Sequence, residues 1–465
     1  MKSVQPLVAV AICALAGTCN AAPAAAATSA PVTFTAAAVV SMTLDNGMKI
    51  LVWPDHDIPS VAFYNFVRVG SRNEVSGATG LAHFFEHMMF NGTARRAPGE
   101  FDRQMEARGG SNNASTGGDL TIYSDWFPRS ALDLVFELEA DRLANLGFVP
   151  KIVESERAVV YSERRLRVED NNEGLLAEQV QATAFVAHPY QIPTIGWPSD
   201  IQAWRVEDLQ RFFRTNYAPN NCTVVITGDV TPEQAFALAR RYLGPLRRQP
   251  PPPAVRTREP EQLGERRVVV ERRAQTPLLQ FAYKAPAATD AHAAAVDLLA
   301  TVLTGGEASI LHRRLVEEQK IAVDVAAYWS ESIDPGLFWI TLTLPAGASP
   351  ARAEAALDAQ VAELLRDGVT DVQLQRAKNV TAAGFWRALS TIDGRASLLG
   401  QYETLDGDWR RLFAVPQLVD RVTGAELAAV AREILQRRHR TVGVLVPTAD
   451  GAAGAQSAAS AADGG

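Results

Sequence analysis

Cysteine is nearly absent from this 465-residue chain: there are three, Cys13, Cys19 and Cys222. The first two fall in the N-terminal leader described below. Cys222 is then left alone, which excludes an internal disulfide. Past that leader, no run approaches the roughly eighteen uninterrupted apolar residues that a membrane-spanning helix needs. Surplus positive charge is missing too. The formal net charge is −7, whereas a general nucleic-acid binder needs a basic face. One basic stretch, residues 247–273, runs along a proline-rich segment and reads as a solvated connector. Histidine is also rare, seven in all.

What is present is an ordinary globular composition, 47% hydrophobic and 21% charged, long enough for two or three domains. Lys2, a short apolar run over residues 7–17 and small residues near Ala21 and Ala22 form the pattern of a secretory signal peptide, 1–22. Thr18 ahead of Cys19 is a poor fit to a lipid-anchor site. An alanine-rich flexible leader, 23–35, follows, and the expected location is the periplasm or outside the cell. The last residues, 448–465, are small and polar and read as a disordered tail.

Between these ends, apolar alternation around Asn46-Gly47 predicts a hairpin over residues 39–55. Further strands are predicted at 61–69, 122–126 and 222–227. Helices are predicted at 80–92, 98–108, 130–146, 151–169 and 206–217. GPLRRQPPPPAV opens a spacer, 245–266, in which four consecutive prolines favour an extended connector. After it the pattern of elements returns. Strands are expected near 268–271, 278–283, 322–330, 338–344 and 442–446, with helices at 291–303 and from Pro350, Asp371 and Ala425. ERAVVYSE at 156–163 lies over QRAKNVTA at an offset of 219, and TVVITG at 223–228 lies over TVGVLV at an offset of 218. The chain therefore reads as an α+β protein of two homologous domains in tandem, 36–244 and 267–447. In this alignment Glu163 faces Ala382, so the second copy lacks whatever that carboxylate does in the first.

GLAHFFEHMMFNG, residues 80–92, sets two histidines and a glutamate in an oily run. On a helix His83, Glu86 and His87 share one face, while Phe84, Phe85 and Met88 point into the core. Two imidazoles one turn apart can grip a cation, with Zn²⁺ the usual occupant, and an adjacent carboxylate can take a proton from activated water. Histidines satisfied by ordinary hydrogen bonds in a core, or a solvated face, are the structural alternatives. A catalytic zinc site needs a third protein ligand. Candidates lie on the charged helix VESERAVVYSERRLRVED, where Glu163 is the strongest and Glu156, two turns earlier, shares its face. A solvated helix of ion pairs with Arg157, Arg164 and Arg167 is the alternative there, and it is accepted for Glu154 and Glu169.

The sequence resembles the pitrilysin, insulinase and mitochondrial processing peptidase family, whose inverted zincin motif is His-x-x-Glu-His. GLAHFFEHMMFNGT, GGSNNASTGGDLTIY, HPYQIPTIGWPSDI and NYAPNNCTVVITGDV carry the likeness, which spans about residues 40–446. The family's third ligand lies about 76 residues past the second histidine, and Glu163 stands at that distance. The resemblance thus implies Zn²⁺ held by His83, His87 and Glu163, with Glu86 as general base and Glu156 supporting the ligands. It implies two domains, each a mixed sheet packed with helices, and a peptide substrate held as an added strand on an edge formed by Asn113, Ala114 and Ser115. The alternative for 109–118 is a flexible turn.

The resemblance also implies a chamber that closes when four such domains meet, hence a dimer. The family's second half usually supplies an arginine and, seven residues on, a tyrosine near the metal. Here HRRLVEEQKIAVDV puts Val316 and Val323 at those places, or Leu315 and Ala322 with a one-residue slip. Arg313 and Arg314 stand nearby. A missing oxyanion donor costs ~2.7–4 kcal/mol of transition-state stabilisation. Two forms of dimer are left open, a homodimer and a heterodimer with a paralogue that supplies the arginine and tyrosine. A non-catalytic assembly subunit that keeps the fold is the alternative function, and a metal buffer is a third.

Other features carry no chemistry. His188 before Pro189-Tyr190 reads as a packing histidine, His56 as part of a solvated turn, and His292, His312 and His439 as structural. Asn91-Gly92-Thr93 and Asn221-Cys222-Thr223 match the glycosylation pattern but matter only in a glycosylating route.

Overall fold

The computed structural model describes residues 34–448. The expected signal peptide and nearly all of the expected tail lie outside the described residues. The first sheet has six strands: β1 (Val40–Thr43), β2 (Lys49–Pro54), β3 (Ser60–Val67), β4 (Ser111–Thr116), β5 (Thr121–Pro128) and β6 (Cys222–Gly228). Its spatial order is β1-β2-β6-β3-β5-β4. β2 runs parallel to β6 and every other neighbour is antiparallel, so the sheet is mixed. The expected hairpin is β1–β2, and its turn uses the positive φ of 91° at Gly47.

The second sheet has five strands: β7 (Arg266–Arg272), β8 (Leu278–Lys284), β9 (Asp324–Trp329), β10 (Leu337–Thr343) and β11 (Arg440–Pro447), in the order β7-β11-β8-β10-β9. As β6 does between β2 and β3, the last strand in sequence inserts between the first two, parallel to β7 and antiparallel to β8. Omitting β1, the two sheets have one topology. Each has a core of its own. Phe63, Phe84, Phe85 and Phe136 are buried in the first, and Phe281, Leu299, Phe338 and Leu357 in the second.

Two helices unanticipated from the sequence join the halves by crossing over. The helix Asn172–Ala184 leaves the first half and packs on β7, β8 and β11. The helix Ile392–Leu405 leaves the second and packs on β3 and β6. Both contacts are tight enough to require glycine. A Cβ on Gly400 would stand 2.0 Å from Phe66 Cε2 of β3, and one on Gly443 of β11 would stand 2.2 Å from Val180 Cγ2.

Two expectations need correction. The charged helix ends earlier than 169: an α-helix spans Pro150–Arg164 and a π turn, Arg165–Glu169, completes it. The spacer is also docked rather than merely solvated. Glu259 accepts hydrogen bonds from the backbone N–H of Val186, Ala187 and His188, each at 3.0 Å. Gln262 is buried and donates to the Arg440 carbonyl at 2.7 Å.

Candidate metal centre

The helix Leu81–Met88 begins on Gly80, whose φ of 83° lets the chain turn sharply into it. The orphan N–H groups of its first turn find a carboxylate. Gly80 and Ala82 each donate to Glu74 at 2.7 Å. Burial pushes Glu74 up to about 8 even against these bonds. Phe84, Phe85 and Met88 face the core as the spacing requires. Phe85 stacks on Phe212 and Phe213, and Phe84 lies against Trp204. Each buried side chain of this size contributes ~1.5–3 kcal/mol, which fixes the rotation of the helix and hence the direction of its polar face.

That face meets the helix Pro150–Arg164. His83 Nε2 lies 3.5 Å and His87 Nε2 3.1 Å from Glu163 Oε2. One ligand atom from each of the three residues fits within 4.8 Å of the other two. Glu156, two turns before Glu163, reaches the far side of His87, with Oε1 2.8 Å from Nδ1. Burial opposes a charge on His87, but Glu156, Glu163 and Glu86 outweigh it and the pKa is raised. His83 behaves oppositely: burial, then His87 and Arg167, hold it at about 3 and keep the ring neutral.

These donors fit a zinc ion. Two neutral-capable imidazoles and a carboxylate are the nitrogen and oxygen ligands zinc takes, and bonds of ~2.0–2.2 Å in a tetrahedron separate such atoms by roughly 3.3–3.6 Å. Glu163 Oε2 is buried and accepts no hydrogen bond, although it faces both imidazoles. In the neutral ring whose Nδ1 donates to Glu156, Nε2 presents a lone pair to that oxygen, and a cation between them removes the conflict.

Glu86 sits beside the triad. Burial raises its pKa, and Thr116 Oγ1 donates to its Oε2 at 2.6 Å. Thr116 is the last residue of β4, which pairs with β5 on one side and ends the sheet on the other. Asn113, Ala114 and Ser115 thus form part of an edge strand rather than a flexible turn. They line, with His83, Glu86 and Arg167, a cavity of about 490 Å³. A larger cavity of about 770 Å³ around Phe213 and Tyr242 contains none of these residues.

Two contributors, Glu74 and Thr116, escaped the sequence reading. Arg167 Nε pairs with Glu163 Oε1 at 2.6 Å. The sequence names Arg167 only as an ion-pair partner in the solvated-helix alternative, which is accepted for Glu154 and Glu169 and not for Glu163. In the second half, the helices that correspond to the ligand pair meet through Thr301 and Thr381, whose hydroxyls lie 3.2 Å apart. His188, read as a packing histidine, is buried and faces Asp334 at 3.1 Å.

Residues 51–197 match the family model described as Insulinase (Peptidase family M16), and 203–381 match Peptidase M16 inactive domain. The chain is 30% identical over 420 residues to the zinc protease PqqE of Helicobacter pylori, covering 88% of this chain and 92% of that protein. A solved protease structure from Helicobacter pylori superposes with a TM-score of 0.85 at 29% identity, over 88% of this chain and 99% of that one. The fold also matches the periplasmic protease PqqL of Escherichia coli, with a TM-score of 0.74 at 19% identity. That match covers 90% of this chain and 48% of the other.

Proposed function

Because the chain belongs to the insulinase family, peptidase family M16, we propose that it is a zinc-dependent endopeptidase acting on peptides or unfolded segments. The observation that carries this reading is the convergence of His83 Nε2, His87 Nε2 and Glu163 Oε2 around one point beside a sheet edge. A zinc ion held by these three supplies Lewis acidity toward a peptide carbonyl and toward water. Glu86 takes the proton that the attacking water loses and returns it to the leaving amine. Its burial and raised pKa suit a group that must both accept and release a proton. Thr116 holds one Glu86 oxygen and leaves the other open. Glu156 fixes the ring of His87. Asn113, Ala114 and Ser115 offer their strand to an extended peptide, which completes the ladder and brings its carbonyl beside the triad.

The working unit in this proposal is a dimer. Neither candidate register of the second half offers an arginine or tyrosine. Leu315 and Ala322 are buried, and Arg313 and Arg314 pair with Glu318, Arg314 also with Glu363. A paralogue that brings an arginine and a tyrosine completes the transition-state contacts. That PqqL is about twice as long as the region it shares with this chain accords with two such units acting together. Full activity of the purified chain alone contradicts the need for a paralogue. Export to the periplasm or beyond belongs to the same proposal.

The alternative is a non-catalytic assembly subunit. The inactive-domain match favours it only for the half without the ligand set. Glu86→Gln separates the readings. A peptidase loses cleavage and keeps its zinc. In a scaffold or metal buffer the substitution changes no turnover, because there is none.

A further inference from the structure

Among the described residues, one exposed cation lines the cavity beside the triad. Arg167 lies in the π turn Arg165–Glu169, and π turns recur at functional sites. Its side chain is 71% exposed, yet it lines the same cavity as His83, Glu86 and the strand edge. A guanidinium has five N–H donors. Among the described residues, Glu163 is the only ion-pair partner of Arg167, and it is met through Nε alone. Both Nη groups therefore remain for something else. The other charged residues that line the cavity are Glu86, held through one oxygen by Thr116, and Glu178. Glu178 is held by Arg164 through two bonds of 2.8 Å, with 6% of its side chain exposed. Ala177 and Ile195 are apolar, and Gln181 donates to the Tyr190 carbonyl. Once Glu163 Oε2 and the two histidines hold a divalent cation, Glu163 no longer neutralises Arg167 fully.

We propose that Arg167 determines specificity in this cavity, and that the substrate segment entering it carries a carboxylate. This rests on the peptidase reading above and names its substrate class. The carboxylate has two sources, an Asp or Glu side chain or the peptide's own C-terminus. Either gives Arg167 the paired, planar contact that suits a guanidinium. An i,i+4 ion pair that only neutralises Glu163 predicts no charge preference at all.

The test uses the zinc-loaded full chain and fluorogenic peptides that differ at one position, Glu, Gln or Lys, scanned on both sides of the scissile bond. Each peptide is made with a free and an amidated C-terminus. The readout is the ratio of kcat/KM between charged and neutral peptides, which a general loss of activity does not move. The expected preference for the carboxylate is about tenfold. It is reduced but keeps its sign in Arg167→Lys, which retains the charge without the planar fork, is lost in Arg167→Gln, and is turned toward the Lys peptide in Arg167→Glu. A loss on amidation alone identifies the C-terminus as the source, and a loss at one scanned position identifies a side chain. A ratio near one throughout, or a ratio unchanged in Arg167→Gln, overturns the assignment.

Binding of the same peptides to zinc-loaded Glu86→Gln, read by fluorescence anisotropy, keeps the two claims apart. Charge-selective binding with no cleavage, whether the native chain is assayed alone or with its paralogue, supports the role of Arg167 and overturns the peptidase reading. Cleavage without charge selection, in the ratio or in binding, does the reverse. No binding, together with no cleavage by the chain alone or with its paralogue, overturns both.

Discussion

Glu156 Oε1 lies 2.8 Å from Nδ1 of His87, on the ring edge opposite the Nε2 that faces Glu163. The two carboxylates therefore address one imidazole from both sides, from the same helix, two turns apart. Glu156 sets the tautomer and the ring plane, and Glu163 shares the ring's other nitrogen with the metal. Glu156→Gln is expected to lower zinc affinity by about 10–100-fold while the fold is retained. Competition with a chromogenic chelator measures it. An unchanged affinity contradicts the role.

Thr116 touches Glu86, not the ligands. Its loss should therefore show in turnover rather than in metal content. Thr116→Val is expected to reduce kcat about tenfold at unchanged zinc stoichiometry, because a positioned general base contributes about 10²–10⁴ and only its orientation is loosened. Thr116→Ser should restore most of the rate. A Val variant with native kcat contradicts the assignment.

How much of this was legible in the sequence follows from where each contact lies along the chain. His83, Glu86 and His87 were readable because one turn of helix fixes their common face and the interleaved Phe84, Phe85 and Met88 fix its direction. Glu163 was one carboxylate among several on a charged helix, and the family resemblance singled it out. Thr116 is 30 residues from Glu86 and meets it only because β4 runs past the ligand helix; no periodicity records such a contact. Glu74 was hidden for the same reason, as an acid in a loop whose partners are backbone N–H groups.

The crossover helices were missed on different grounds. In Asn172–Ala184, Leu176 and Val180 pack on the second sheet, while Ala177, Glu178 and Gln181 turn to the cavity. Both sides are in use, so the segment lacks a single apolar stripe. Ile392–Leu405 shares that trait: Arg395 and Glu403 are buried beside Ala396 and Leu399. The spacer looked solvated because its docking rests on Glu259 and Gln262 reaching distant backbone groups.

The crossover packing predicts a strict size limit at Gly400. With Phe66 so close, Gly400→Ala forces a shift in the first sheet and is expected to cost roughly 1–3 kcal/mol. Urea denaturation should show a lower midpoint. A midpoint at the native value contradicts the close contact.

The halves are also joined by a polar cluster with a pH signature. Asp119 accepts from Arg72 and Tyr190, and Asp334 of the second half receives Arg72 and faces His188 Nε2 at 3.1 Å. Burial, with the nearby Arg72, outweighs the pull of Asp334 and Asp119 and holds His188 below the ordinary 6.5. As pH falls, the unfolded chain binds this proton first. Stability is therefore full above 6.5 and declines as pH drops from there toward the lower folded value. His188→Gln should flatten the dependence of Tm on pH between about 7 and about 5. Equal slopes for the two proteins contradict this account.

The central claim is that two imidazoles and a distant carboxylate hold one zinc ion, and crystals of the zinc-loaded chain test it most directly. Diffraction data collected on both sides of the zinc absorption edge locate the ion without reference to any assumed ligand. The account predicts an anomalous peak at bonding distance from His83 Nε2, His87 Nε2 and Glu163 Oε2 together. A peak elsewhere, with the Glu163 carboxylate turned away from the histidine pair, contradicts it.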